Sequence, residues 1–113
     1  MKWVKKFYEG KDVGLIRSDG LVFMKIVYPQ HIFRKFNGVG ISEGLIDELK
    51  ERGVVQIRIV YKKGNNEEEI YRVSIDEWIK EGIPYTNIEK GRDGKTIIDE
   101  QLILPFEKMV KEG

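Results

Sequence analysis

Residues 13–28, VGLIRSDGLVFMKIVY, decide the fold class. Asp19-Gly20 lies between two runs rich in β-forming residues, and this dipeptide is the strongest short-range signal for a β-hairpin. The second run, residues 21–28, is apolar at both alternating sets of positions, which is typical of a strand covered on both faces. The stretch therefore predicts a β-hairpin whose second strand is central in a sheet and ends at Pro29.

Two short helices are predicted from the residues at their ends. Ser42 is a suitable N-cap for a helix over residues 42–52, which a glycine follows. Ser74 and Glu77 have the spacing of a capping box, so a second helix is expected from there to about residue 81. The apolar stripe of the first helix consists of Leu45, Ile46 and Leu49.

The other apolar runs predict strands. Residues 2–8 and 54–63 have strand character, and GNNEEE turns the chain back into residues 70–73. EKGRDGKT at residues 89–96 predicts a mobile loop, and a final strand follows in which Pro105 favours an edge position. We therefore expect a single α+β domain over residues 1–113, with a mainly antiparallel, twisted sheet of two β-hairpins plus a C-terminal strand, and two short helices.

Composition and charge narrow the functional classes. Hydrophobic residues make up 41% of the 113 residues, charged residues make up 35%, and cysteine is absent. This excludes a disordered chain, a disulfide framework and a thiolate metal site. No apolar run approaches the roughly 18 residues of a membrane span. The abundance of Lys, Glu and Arg fits a thermophile's protein, and we expect a cytoplasmic location without membrane partners.

The charge is unevenly distributed along the chain. Residues 1–41 contain eight Lys or Arg and three Asp or Glu, a net +5, whereas the remaining residues carry a net −4. Cations also alternate with aromatic rings near Trp3 and again around Phe33. Since Lys and Arg neutralise phosphates and aromatic rings stack on bases, this pattern is typical of a nucleic-acid-binding surface.

The glycine-rich stretch FNGVGISEG, residues 36–44, resembles the turn of the helix-hairpin-helix DNA-binding family. The match comprises Phe36, Asn37, Gly38, Val39, Gly40 and Gly44. The resemblance implies a first short helix in HIFRKF, residues 31–36, and contacts from backbone N–H groups to DNA phosphates at Gly38, Val39, Gly40 and Ser42. Asp47 and Glu48 depart from the family, which has apolar residues there. Glu43 stands where a dinucleotide-binding loop needs its third glycine, which argues against such a loop, and no Lys-Ser or Lys-Thr follows, which excludes a P-loop.

The sequence thus predicts a small, non-enzymatic nucleic-acid-binding module with DNA or RNA as its partner and no cofactor. The alternative is a protein–protein interaction or structural domain that binds another protein, or a second copy of itself, through a sheet edge or the Trp3 and Phe7 surface. The predicted nucleic-acid-binding residues are Lys5, Lys6, His31, Arg34, Lys35, Gly38, Gly40 and Ser42.

A nuclease-like enzyme is the weaker alternative. The strand at residues 54–63 has a suitable setting for a nuclease of the restriction-endonuclease type, but Gln56 stands where a metal-binding carboxylate is needed. Asp93-Gly94-Lys95 has the required spacing but lies in a glycine-rich segment, and Asp99 and Glu100 lack identifiable partners. With one histidine and no cysteine, we predict neither a catalytic residue nor a metal ligand.

Overall fold

The computed structural model describes residues 2–8 and 12–113, with the side chains of residues 5–8 and 12–13 outside the description. Short 3-10 turns occur at Pro29–His31 and Phe106–Lys108. The described part contains two helices, α1 (Glu43–Glu51) and α2 (Ile75–Glu81), and nine strands: β1 (Trp3–Tyr8), β2 (Asp12–Arg17), β3 (Val22–Val27), β4 (Gly38–Ser42), β5 (Gln56–Gly64), β6 (Glu67–Ser74), β7 (Ile83–Lys90), β8 (Thr96–Pro105) and β9 (Val110–Glu112).

The strands form two sheets. The large sheet has the order β1-β2-β3-β5-β6-β9, and the small sheet has the order β4-β8-β7. Neighbouring strands are antiparallel except for β3 and β5, which run parallel. The prediction of an α+β fold with mainly antiparallel strands is confirmed at this level.

The β-hairpin predicted from Asp19-Gly20 is present as β2 and β3, with residues 18–21 between the strands. Gly20 adopts a positive φ of 76°, which glycine tolerates without steric cost, and its N–H donates to the Arg17 carbonyl over 2.8 Å. Asp19 Oδ1 accepts the N–H of Leu21 over 3.0 Å and fixes the turn. β3 lies between β2 and β5, so the predicted central position is confirmed.

The detailed strand arrangement differs from two hairpins plus a final strand. The predicted mobile loop is part of a long β7–β8 hairpin, in which the N–H of Gly91 donates to the Lys95 carbonyl over 2.8 Å. β8 is central in the small sheet, so the edge position inferred from Pro105 is wrong. The strand tolerates this proline because β7 begins at Ile83, which pairs with Ile103, so no strand flanks Pro105 on that side.

The core lies between one face of the large sheet, here called the inner face, and a layer formed by the helices and the small sheet. Trp78 of α2 is fully buried there, and its indole N–H donates to the Leu102 carbonyl of β8 over 3.0 Å. The inner face contributes Phe23, Val27, Ile57, Ile59 and Val73, and the covering layer contributes Val39, Ile41, Leu45, Ile46, Leu49, Ile75, Trp78 and Leu104.

Side-chain hydrogen bonds define the helix starts. Ser42 Oγ accepts the N–H of Leu45 over 3.2 Å, and Ser74 Oγ accepts the N–H of Glu77 over 3.1 Å. Both predicted N-caps are therefore confirmed. The apolar stripe predicted for α1 is fully buried, so the burial of this face, together with the cap, holds the helix on the sheet.

A half-buried ammonium group links the two sheets. Lys25, on the inner face of β3, donates from Nζ to the Gly40 carbonyl of β4 over 3.0 Å. A charged donor makes a stronger hydrogen bond than a neutral one, so this contact ties the edge of the small sheet to the centre of the large one.

Substitution of Trp78 tests the bond between α2 and β8. We expect Trp78→Phe to lower the free energy of unfolding by about 1–3 kcal/mol, because it removes a buried hydrogen bond and leaves unfilled volume. Urea denaturation followed by circular dichroism measures the change. Tyr28→Phe, at an exposed ring, is the matched control and should change stability by less than about 0.5 kcal/mol. Equal stability of the two variants would contradict the structural role of Trp78.

An ion-pair cluster attaches β9 to the large sheet and predicts a pH dependence. Lys111 of β9 pairs with Glu69 of β6, whose Oε1 lies 3.4 Å from Lys63 Nζ. The hydrogen bond from Lys111, assisted by the charges of both lysines, holds the pKa of Glu69 below its ordinary value. A carboxylate with a lowered pKa stabilises the fold above its unfolded pKa of about 4.3 and loses this contribution as the pH falls through its folded pKa.

We therefore expect Glu69→Gln to destabilise the protein at pH 7 and to differ progressively less from the wild type as the pH falls towards 3. Thermal unfolding across this range measures the difference. Glu107→Gln, at an exposed carboxylate without an ion pair to a described residue, is the control. A difference between wild type and Glu69→Gln that stays constant with pH would show that the ion pair is not its source.

Candidate nucleic-acid interface

The large sheet has an open side, here called the outer face. The described helices and the small sheet pack against the inner face. On the other side most described residues are partly or fully exposed, although Val22 and Val60 are buried. In register, Leu15, Met24, Arg58, Arg72 and Val110 form one row across β2, β3, β5, β6 and β9. Trp3 and Arg17 pair with each other on the same side, one step along their strands. The outer face therefore combines apolar, aromatic and cationic side chains.

Trp3 and Arg58 are the centre of this surface. The guanidinium carbon of Arg58 lies 6.0 Å from the Trp3 ring centroid, within the range of a cation–π contact. Arg58 also approaches Glu112, with 3.6 Å between Nη2 and Oε1, while its Nε finds no hydrogen-bond partner among the described residues. The guanidinium is thus held beside an aromatic ring, and its buried Nε makes no hydrogen bond to a described residue.

Arg72 adds a second cation directly beside the first. It is the cross-strand partner of Arg58, and like charges in this position destabilise a sheet. Arg72 is exposed and forms no ion pair with a described residue. The pairing of these two arginines with each other therefore does not stabilise the sheet, whereas an anionic partner would be attracted by both.

Arg17 contributes less to the positive charge of the outer face. Its Nε lies 3.0 Å from Asp19 Oδ1, and its Nη2 lies 2.8 Å from Oδ2. This side-chain hydrogen bond raises the pKa of Arg17 and lowers the pKa of Asp19. The charges of Arg17 and Asp19 thus compensate each other within the turn. Arg58 and Arg72 are therefore the main cations in the described part of this face.

The predicted N-terminal cations are only partly described. Lys5 pairs in register with Leu15 and Lys6 with Gly14, while the side chains of both lysines lie outside the described part of the structure. His31 is exposed in the 3-10 turn after β3, where its Nδ1 accepts the Tyr28 N–H over 3.2 Å. This histidine therefore helps to close a local turn, and its contact with nucleic acid stays a prediction.

Arg34 and Lys35 lie at the tip of a tight turn. Phe33 and Gly38 exchange backbone hydrogen bonds of 2.9 and 3.3 Å, so residues 34–37 reverse the chain with both cations exposed. Asn37 completes the reversal with φ at +47°, a conformation that asparagine tolerates. Phe33 contacts Tyr85 of β7 at a centroid distance of 5.3 Å, which places this turn beside the small sheet and not on the outer face.

The stretch around Gly38 and Gly40 does not have the geometry of a helix-hairpin-helix. Both glycines are buried in β4, and Ser42 is the last residue of that strand as well as the cap of α1. The expected first helix is replaced by the turn at residues 34–37. A Cβ atom on Gly40 would lie 2.9 Å from the Phe33 ring, so glycine is needed here for close packing. Phosphate contacts from these residues stay a prediction without support from the local geometry.

A nuclease-like metal site would need carboxylates that lie close together. The described part of the chain contains no such arrangement. Asp99 Oδ2 accepts from Gln101 Nε2 over 2.6 Å, whereas Glu100 Oε2 accepts from Thr86 Oγ1 over 2.9 Å on the other side of the strand. Asp93 Oδ1 binds the backbone N–H of Lys95 within the hairpin turn. Among the described residues, no three His, Asp or Glu side chains meet as possible metal ligands.

Sequence reasoning missed Arg72 and the role of Arg58. The alternation in β5 does place Gln56 and Arg58 on the face opposite Ile57 and Ile59. Which residues lie beside Arg58 is determined by the parallel pairing of β5 with β3 and by the register between β5 and β6. Neither can be read from the alternation of residues within β5. No described helix has the length and apolar character needed to cross a membrane.

Comparison of the chain with protein-family models, with curated proteins and with solved structures finds no match. The outer face must therefore be interpreted from its own geometry and chemistry.

Proposed function

We propose that this protein is a non-enzymatic nucleic-acid-binding domain whose outer face binds single strands. The observation that carries the proposal is the group of Trp3, Arg58 and Arg72 on a sheet face that the described helices leave open. Open sheets with aromatic side chains bind unpaired bases by stacking, and arginines beside the rings bind phosphates or stack on bases in turn.

The chemistry of the surface favours a single strand over a duplex. Leu15 and Met24 lie in the row next to that of Trp3 and Arg17, and Ile26 lies further along β3 on the same face. Apolar side chains on a sheet face are suited to exposed base faces, which a duplex keeps inside its stack. Arg58 is partly exposed, although its Nε is buried, and Arg72 is exposed and free of ion pairs to described residues. Arg72 can therefore bind a phosphate without losing an ion pair. Arg58 would lose only its long contact with Glu112.

Binding to a fluorescent single-stranded oligonucleotide tests the proposal by anisotropy. Trp3→Leu should weaken binding by about 5- to 150-fold, because one stacked base contributes about 1–3 kcal/mol. Arg72→Gln should weaken binding at low salt and reduce the slope of log affinity against log salt by about 0.7, the value for one phosphate contact on a single strand. Arg92→Gln, at an exposed arginine in the β7–β8 turn, is the matched control.

The protein's two tryptophans provide a second measurement. Trp78 is 0% exposed and hydrogen-bonded inside the core, whereas Trp3 is only partly covered. Base stacking should therefore quench the emission of Trp3 alone, and Trp3→Phe should abolish the quenching on addition of the oligonucleotide. Absence of binding to DNA and RNA single strands at low salt would overturn the proposed function.

The double variant Arg34→Gln/Lys35→Gln separates the outer face from the turn predicted from sequence. We expect its affinity to equal that of the wild type, because the turn lies beside the small sheet. A loss comparable to that of Arg72→Gln would instead assign the phosphate contacts to the turn.

A further inference from the structure

The distal part of the β7–β8 hairpin projects from the small sheet as a two-stranded ribbon. β4 pairs with β8 only from Gln101 onwards, whereas β7 continues alongside β8 to the pair of Lys90 and Thr96. Five residue pairs, from Thr86–Glu100 to Lys90–Thr96, thus lie beyond the third strand. At about 3.4 Å per residue, this ribbon is roughly 15 Å long.

An apolar pair lies at the centre of this ribbon. Ile88 and Ile98 are directly opposite each other, and they are 66% and 61% exposed. Both lie on the same side of β8 as Leu102 and Leu104, the side that packs on the core nearer the body of the protein. The core-side face of the small sheet therefore continues along the ribbon beyond the core. There, no described residue covers the two isoleucines.

Charges of opposite sign flank the two isoleucines. The next pair on the same face towards the hairpin turn is Lys90 and Thr96. The next pair on that face towards the body of the protein is Thr86 and Glu100. Lys90 and Glu100 are therefore about the same distance from Ile88 and Ile98, in opposite directions. If a second ribbon is placed face to face and antiparallel, each lysine lies next to a glutamate of the other ribbon.

We propose that the β7–β8 ribbon binds the same ribbon of a second copy of this chain, face to face and antiparallel about a twofold axis. The four isoleucines form the centre of the contact, and two Lys90–Glu100 ion pairs, each between copies, flank it. An isologous contact of this kind requires a self-complementary surface, which this ribbon has.

The charge of the rest of the molecule favours the same arrangement. In an antiparallel contact the turn of each ribbon points towards the body of the other copy. α1 and α2 together contain seven Asp or Glu and two Lys, a net −5, whereas the turn at residues 90–95 contains three cations and one acid, a net +2. The cationic turn of each copy is thus directed towards a body whose two described helices are acidic.

The oligomeric state of the full chain tests this inference. Since the contact is small, we expect a dimer that dissociates on dilution, measured by sedimentation velocity from about 10 to 500 μM, the range in which weak interfaces dissociate. Ile88→Lys should abolish the dimer. Val55→Lys, at a valine that is 55% exposed outside the ribbon, should leave it unchanged. A wild type that stays monomeric at every concentration, or a dimer that survives Ile88→Lys, would overturn the proposal.

Charge reversal tests the antiparallel arrangement itself. Lys90→Glu alone and Glu100→Lys alone should each weaken self-association by at least tenfold, because each places like charges across the interface. An equimolar mixture of the two variants should restore association, since a mixed dimer again has two opposite-charge pairs. Failure of the mixture to associate would contradict the antiparallel contact. Unchanged circular dichroism of both variants confirms that they are folded.

Discussion

The parallel pairing of β3 with β5 determines the rest of the architecture. Parallel neighbours cannot be joined by a tight turn, so the chain must cross from the end of one strand to the start of the other over one face of the sheet. The crossover contains β4 and α1, which supply the apolar residues that cover the inner face. β4 then pairs with β8, and the second sheet exists because this crossover contains a strand as well as a helix.

The crossover covers only one side of the large sheet. The other side is not covered by the described helices or by the small sheet, and it contains charged side chains. Arg58 and Arg72 lie side by side on β5 and β6, where the repulsion between their charges destabilises the sheet. Both arginines lie on the same face as Trp3, on the surface that we propose as the binding site for single strands. The fold and the proposed binding surface thus have the same origin in the topology.

The sequence predicted those elements whose signals are local. The turn at Asp19-Gly20, the cap of α1 at Ser42 and the cap of α2 at Ser74 each depend on residues within four positions of one another. It did not predict β4 or β7, since two glycines weaken the first and a proline is the second residue of the other; both become strands by pairing with β8. Arg72 was missed for a related reason, because its neighbours on the outer face come from distant parts of the chain.

The hydrogen bond from Lys25 to Gly40 also limits how the protein can aggregate. An edge strand with free backbone groups can recruit strands from other molecules and lead to fibres. At β4 the backbone of Gly38 is already bonded to Phe33, and the carbonyl of Gly40 is occupied by the Lys25 ammonium. The outer edge of β4 is therefore partly blocked, whereas β7 has no strand beyond it in the described part of the chain.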